Sequence, residues 1–165
     1  MQHFPAPVFE HKICALEDLS QRIAQLAQPL VFTNGCFDIL HRGHVTYLAQ
    51  ARALGGSLVL ALNTDASVKR QGKGDDRPIN ALENRLAVVA ALQSVDLVTW
   101  FDEDTPANLI ELIQPQVLVK GGDWAIEHIV GAKETQARGG KVVSIAFEHT
   151  TSTTQTLAKI REAQA

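Results

Sequence analysis

The sequence predicts an α/β fold, a three-layer sandwich around a five-stranded parallel sheet. Three observations predict it. Five short apolar runs, each bounded by glycine, proline, asparagine or charged residues, alternate with stretches of helical periodicity. The runs are continuous rather than alternating, the pattern of strands buried on both faces. Connections are short, and the first strand–helix–strand unit closes within about 33 residues, the size of one βαβ unit.

In chain order, residues 1–15 read as an irregular arm, carrying His3, Pro5, Pro7 and His11, ahead of a single domain over 16–165. A helix spans 16–28, with Leu19, Ile23 and Leu26 at helical spacing, and Pro29 ends it. The first strand, 30–33, is closed by Asn34-Gly35. Helical spacing over 43–54 stops at Gly55-Gly56, and the second strand is 57–62. Residues 71–78 are polar and glycine-rich, the pattern of a mobile loop. Asn80 is placed as the cap of a helix over 81–93, with Glu83 at its third position. The third strand is 97–101, and the next helix, 105–114, starts with Pro106 at its favoured first position. The fourth strand is 117–120, followed by a helix from 127 or 131 to 138. The fifth strand is 141–147 and the last helix 153–162.

The chain has 165 residues, 45% apolar and 20% charged, which fits one ordinary globular domain. Folding at that length buries roughly two-thirds of the unfolded chain's surface, so a core forms without staples. The formal charge of −3 argues against a general nucleic-acid binder, yet allows a local basic cluster around one phosphorylated ligand. Two cysteines, Cys14 and Cys36, make neither a disulfide framework nor a four-cysteine zinc module. There is no signal-peptide pattern and no run of 18 apolar residues, so a cytoplasmic protein off the membrane is expected.

In an open parallel sheet, ligands bind beyond the carboxyl ends of the strands, near the switch in strand order. Residues 34–38, 63–65, 101–103, 121–123 and 148–154 fall there. Next to the first of these groups, His41 and His44 straddle Gly43 at the start of a helix. Helix N-termini present unpaired N–H groups and a partial positive charge, a ready phosphate site. Two imidazoles at that spacing suit one triphosphate, and Gly43 allows close backbone approach. A structural pair and half a metal site are the other readings. Zinc would need further ligands, and only Cys36 is close in sequence. The G-x-G-x-x-G fingerprint is absent after the first strand, and G-x-x-x-x-G-K-[ST] is absent throughout.

Residues 35–44, Gly-Cys-Phe-Asp-Ile-Leu-His-Arg-Gly-His, resemble the G-x-F-D-x-x-H-x-G-H signature of the cytidylyltransferase-like nucleotidyltransferases. That resemblance implies their Rossmann-like fold and attack of a phosphate ester on the α-phosphate of a nucleoside triphosphate, releasing pyrophosphate. Within the superfamily, residues 63–70, 76–80, 83–85 and 119–123 resemble the bacterial D-glycero-β-D-manno-heptose 1-phosphate adenylyltransferases, with the resemblance covering 16–162. This implies AMP transfer from ATP to heptose 1-phosphate for lipopolysaccharide core synthesis, with Mg²⁺ neutralising the triphosphate. It also implies small-molecule substrates rather than nucleic acid, a homodimer, and a separate upstream kinase, since many relatives are fused to a sugar kinase for which 165 residues leave no room. Ser152-Thr153-Thr154 and Asp123-Trp124 instead resemble glycerol-3-phosphate cytidylyltransferase, although the arginine that precedes Ser-Thr-Thr there is missing. A non-catalytic nucleotide-binding regulatory domain is the alternative of another class.

On this reading the catalytic candidates are His41, His44 and Lys69. The nucleotide-binding candidates are Asn34, Gly35, Phe37, Gly43, Arg85, Gly121, Asp123, Ser152 and Thr153. Asn63, Asp65, Arg70, Arg77 and Lys120 are the substrate-binding candidates, and no metal ligand is assigned. Duller roles stand beside several of these: a solvated basic face for Lys69 and Arg70, an ion pair with Glu83 or Asp76 for Arg85, and plain helix capping for Ser152 and Thr153. Asp38 is expected to orient its loop rather than act as a base, with a Mg²⁺ contact left open. Trp124 either shields the site or packs, Cys36 is a buried filler, and Lys73 belongs to the same basic group.

Overall fold

Strands β1 (Leu30–Gly35), β2 (Ser57–Asn63), β3 (Leu97–Phe101), β4 (Val117–Gly121) and β5 (Lys141–Ile145) form one sheet in the order β3-β2-β1-β4-β5. Every pairing is parallel. The computed structural model describes residues 5–72, 74 and 76–163. Its α-helices are α1 (Leu16–Ile23), α2 (Arg42–Arg52), α3 (Asp65–Arg70), α4 (Leu82–Ala90), α5 (Ala107–Ile113), α6 (Ala132–Ala137) and α7 (Thr153–Glu162). The α/β sandwich and the five parallel strands expected from the sequence are therefore present.

Period-two alternation in the strands divides the core in two. Val31, Leu58, Leu60, Leu62, Val98 and Val119 face α2 and α4, meeting Leu48, Ala51, Leu86 and Val89. Phe32, Val59, Ala61, Leu97 and Leu118 face the other way, onto Leu19 of α1, Leu109, Ile110 and Ile113 of α5, and Ala132 of α6. Each fully buried leucine contributes about 1.5–3 kcal/mol relative to exposure. The chain moves outward from β1 through β2 and β3, then crosses to β4 and β5 on the other side. β1 and β4 are thus the switch point, and their carboxyl ends open the crevice where ligands bind in such sheets.

Several boundaries differ from the sequence reading. The arm is not irregular throughout: residues 8–12 form a 3₁₀ turn, Ile13 bridges Val98, and the Cys14 N–H donates to Val98 O at 2.8 Å. The free edge of β3 supplies that acceptor. Helix α1 ends at Ile23, because the Gln25 and Leu26 N–H groups bond three residues back and tighten the last turn. Helix α3 was not foreseen; Thr64 caps it, its side chain accepting from the Ser67 N–H at 3.1 Å. Asn80 does not cap α4, whose N-cap is Ala81 with no side-chain cap; Asn80 lies one residue earlier and its Nδ2 donates to Asp38 O at 2.6 Å. Pro106 is the N-cap of α5 rather than its first residue. The helix expected from 127 or 131 divides into a 3₁₀ turn (Ile126–His128) and α6. β5 stops two residues short of Phe147, and α7 matches its expected bounds. Among the described residues no helix is long and apolar enough to cross a membrane.

Candidate active site

The loop after β1 is shaped by two close approaches. A Cβ on Gly35 would lie 2.8 Å from the Phe37 ring. Phe37 itself has φ 46°, the left-handed region that non-glycine residues seldom adopt. His41 then caps α2 in extended conformation, and His44 lies one turn on. Their rings stack with centroids 3.8 Å apart and 23° between planes, while Phe37 leans on His44 at 4.9 Å. A Cβ on Gly43 would sit 3.1 Å from the His41 ring, so a side chain there would displace it. Burial holds the His41 imidazole below its ordinary pKa, which favours the neutral ring.

Two buried arginines lock this loop to the segment before α4. Asp38 is buried and accepts from Arg77 Nε at 2.6 Å, the Ile79 N–H at 2.9 Å and the Asn80 N–H at 2.8 Å. Burial alone would raise the Asp38 pKa; the hydrogen bonds from Asn80, Ile79 and Arg77 outweigh it and hold the carboxyl below its ordinary value. Arg85, 1% exposed, donates from Nε to Asn80 O, from Nη1 to Cys36 O and from Nη2 to Asp65, at 2.9, 2.8 and 2.6 Å.

The N-terminus of α7 closes over the same loop. Ser152 caps it, accepting from the Gln155 N–H at 3.1 Å, and Thr153 Oγ1 donates to Ile39 O at 3.2 Å. Thr151 Oγ1 lies 3.3 Å from His41 Nδ1. The result is a cavity of about 370 Å³ lined by His41, His44, Arg77, Phe147, Ser152 and Thr153, and also by Cys36, Phe37 and Asp38. Two helix N-termini and a guanidinium meet there, an arrangement that attracts anions.

A second cavity of about 200 Å³ opens beside it, lined by Asn34, Asn63, Gln71, Lys120, Trp124 and His128 among others. Lys120 Nζ lies 3.4 Å from Asn34 Oδ1, and Asn63 Nδ2 donates to Ser67 Oγ at 3.0 Å. Trp124 is half exposed and donates from Nε1 to Gly121 O at 3.1 Å. Cys36 joins the two cavities: it lines the first, and its Sγ stands 3.8 Å from Asn63 Oδ1 and 3.6 Å from Gln71 Oε1 in the second.

Of the candidates from sequence, Phe37, His41, His44, Arg77, Ser152 and Thr153 are brought together at the first cavity, and Asn34, Asn63 and Lys120 at the second. Arg77 therefore sits with the histidines and not with the other substrate-binding candidates. Lys69 and Arg70 lie on α3, exposed and lining neither cavity. Arg70 is occupied by Asp104, at 2.7 Å, and by Asp102. Asp65 is taken by Arg85, and Asp123 is exposed outside both cavities. Gly121 runs beneath Phe147, where a Cβ would meet the ring at 2.8 Å. Lys73 lies outside the described residues.

The sequence reading singled out neither Phe147, Gln71 nor His128, and covered Thr151 only within residues 148–154. Phe147 was hidden by running the fifth strand two residues too far, and Gln71 by overlooking α3 just before it. Among the described residues no group of three or more His, Cys, Asp or Glu is arranged to hold a metal ion.

A model of the family described as cytidylyltransferase-like matches residues 32–159. The chain is 51% identical to a D-beta-D-heptose 1-phosphate adenylyltransferase of Bordetella bronchiseptica, across 93% of this chain and 96% of that one. It is 55% identical to a bifunctional protein HldE of Marinomonas sp., across 84% of this chain but only 29% of the relative's length. Among solved structures, a lipopolysaccharide core biosynthesis protein from Thermoplasma volcanium is 26% identical with a TM-score of 0.59, covering 74% of this chain and 98% of that one. A pantothenate synthetase from Thermus thermophilus, 18% identical over 82% of this chain and 61% of that one at a TM-score of 0.56, shares the fold.

Proposed function

The chain belongs to the cytidylyltransferase-like family, and from that premise we propose that it transfers AMP from ATP to D-glycero-β-D-manno-heptose 1-phosphate. The products are ADP-heptose, destined for lipopolysaccharide core, and pyrophosphate. The observation that carries this reading is the 51% identity to a heptose 1-phosphate adenylyltransferase over 96% of that relative.

The acceptor phosphate is the nucleophile and is already ionised at neutral pH, so no side chain has to remove a proton. One of its oxygens bonds to the α-phosphorus, the bond from that phosphorus to the bridging oxygen breaks, and pyrophosphate leaves with the electron pair. What remains for the protein is positioning and charge stabilisation. His41 and His44 hydrogen-bond the phosphate where charge develops. Ser152 and Thr153 offer the N-terminus of α7 to the outer phosphates, and Phe37 flanks the nucleotide. Asn34, Asn63 and Lys120 take the sugar phosphate next door, with the nucleophile entering past Cys36.

Mg²⁺ enters this reading on the nucleotide. The described residues build no cage for it, and Asp38, the carboxylate lining the histidine cavity, is committed to Arg77, Ile79 and Asn80. Phosphate oxygens and water are the ligands such an ion usually keeps. A homodimer in the cytoplasm completes the proposal, and sedimentation of the purified chain tests the oligomer.

The activity is tested by pyrophosphate release with ATP or CTP, each paired with heptose 1-phosphate or glycerol 3-phosphate. ATP with the sugar phosphate is the expected pair. Preference for CTP with glycerol 3-phosphate would overturn the reading.

A further inference from the structure

We propose that Arg77 binds the β- and γ-phosphates of the nucleotide, with Asp38 as the residue that positions it, rather than contacting the acceptor's phosphate. The proposal rests on the nucleotide-transfer reading above and deepens it.

Arg77 is 6% exposed, yet it lines the histidine cavity. A guanidinium that deeply placed is costly unless paired and aimed at something. Its Nε is held by Asp38 Oδ2 at 2.6 Å. A guanidinium has five N–H donors, and the fork at its far end matches phosphate oxygens in a way an ammonium does not.

Asp38 is itself immobilised by the main-chain N–H groups of Ile79 and Asn80, so the arginine is anchored on a fixed base rather than on a swinging side chain. Among the described residues lining that cavity, Arg77 is the only lysine or arginine, and it lies with Ser152 and Thr153 at the mouth of α7. The neighbouring cavity has its own cation, Lys120. The two anionic groups of the reaction thus each meet one cation, from opposite sides of Cys36.

Arg85 is the internal control. It is also buried and comes from the same stretch of chain, but its Nε, Nη1 and Nη2 donate to Asn80 O, Cys36 O and Asp65. It lines neither of these two cavities but a smaller one with Phe37, Asp38 and Asn80, and the commitment of all three of its nitrogens to protein oxygens marks it as scaffold.

ATP, inorganic tripolyphosphate and AMP are titrated into the wild-type protein and into Arg77→Lys. The same titrations are made on the double variant Asp38→Asn/Arg77→Gln, which removes both charges and so leaves no buried charge without its partner. Circular dichroism confirms the fold of each. Loss of the charge-assisted bonds is expected to weaken ATP and tripolyphosphate roughly ten- to a hundredfold in the double variant. AMP, which lacks the outer phosphates, binds wild type and variant alike, and the KM for heptose 1-phosphate stays where it was. Arg77→Lys keeps the charge without the fork and falls between. Unchanged ATP and tripolyphosphate affinity in the folded double variant would overturn the proposal. So would a defect confined to the acceptor's KM, which would return Arg77 to the sugar side. A wild-type protein that neither binds ATP nor releases pyrophosphate sinks the transfer reading itself, before any variant is needed.

Discussion

The two cavities at the carboxyl edge of the sheet are built from different materials. The histidine cavity is walled by main chain and helix ends: the left-handed turn at Phe37, the N-termini of α2 and α7, and a buried ion pair whose carboxylate is pinned by two N–H groups. The other is lined by residues of strand ends and loops, Asn34, Asn63, Lys120 and Trp124 among them, with Lys120 Nζ 3.4 Å from Asn34 Oδ1. The first is preorganised, its loop held by the Arg77–Asp38 pair, by the Ile79 and Asn80 N–H groups and by Arg85 on Cys36 O. On the proposed reading, the pinned loop would hold the reacting phosphates and the second cavity the acceptor.

The largest expected effect probes the rigidity of the histidine side. Asp38→Ala strands a buried guanidinium and removes the acceptor of two N–H groups, at a cost of about 3–5 kcal/mol read as a lower urea midpoint. Lys120→Ala, on the other side, is expected to leave that midpoint near wild type. Equal losses from both would erase the distinction between the two walls.

Next, His41→Ala and His44→Ala are each expected to lower turnover by about 10²–10³ while sparing the unfolding transition, the usual loss when one donor to a developing charge is removed. Full turnover in either variant would take that histidine out of the chemistry. A smaller effect sharpens the second cavity: Lys120→Ala should raise the KM for heptose 1-phosphate roughly tenfold, about one charge-assisted hydrogen bond, with ATP affinity unchanged.

The smallest effect is in the pH dependence of stability. His41 resists protonation when folded, so the unfolded chain takes up a proton first as pH falls through the ordinary value of 6.5. Stability therefore declines from there downward, and His41→Gln should flatten that slope. Asp38 acts in the opposite window. Its stabilising contribution is present above the ordinary 3.8 and is lost only as pH drops through the lower folded value. Urea midpoints between pH 8 and 3 separate the two.

Much of the fold was legible because it depends on local pattern. β3 and α7 have the bounds read from sequence, and β1, β2 and β4 differ by one or two residues at their carboxyl ends. Failures came where a tertiary partner outbid a local rule. Asn80 looked like a helix cap, but its amide was claimed by Asp38 O, 42 residues back. Helix α3 was too short for periodicity to register and exists through the Thr64 cap. At the site, His41, His44, Ser152 and Thr153 were legible because a motif or a helix start announces them. The basic residues were not. Charge alone could not tell Arg77, in the cavity, from Arg85, in the scaffold, or from Arg70, on an exposed ion pair.

The sequence by itself determined the alternation of buried strands and helices, and with it a parallel sheet whose carboxyl edge carries Asn34-Gly35 and the paired histidines. Hydrophobic period and glycine placement act over a few residues, so they can be read along the chain. Only the tertiary structure decided which cation faces which cavity. That depends on partners far apart in sequence, Asp38 for Arg77, Asp65 for Arg85 and Asp104 for Arg70, competing for the same guanidinium groups once the chain has closed.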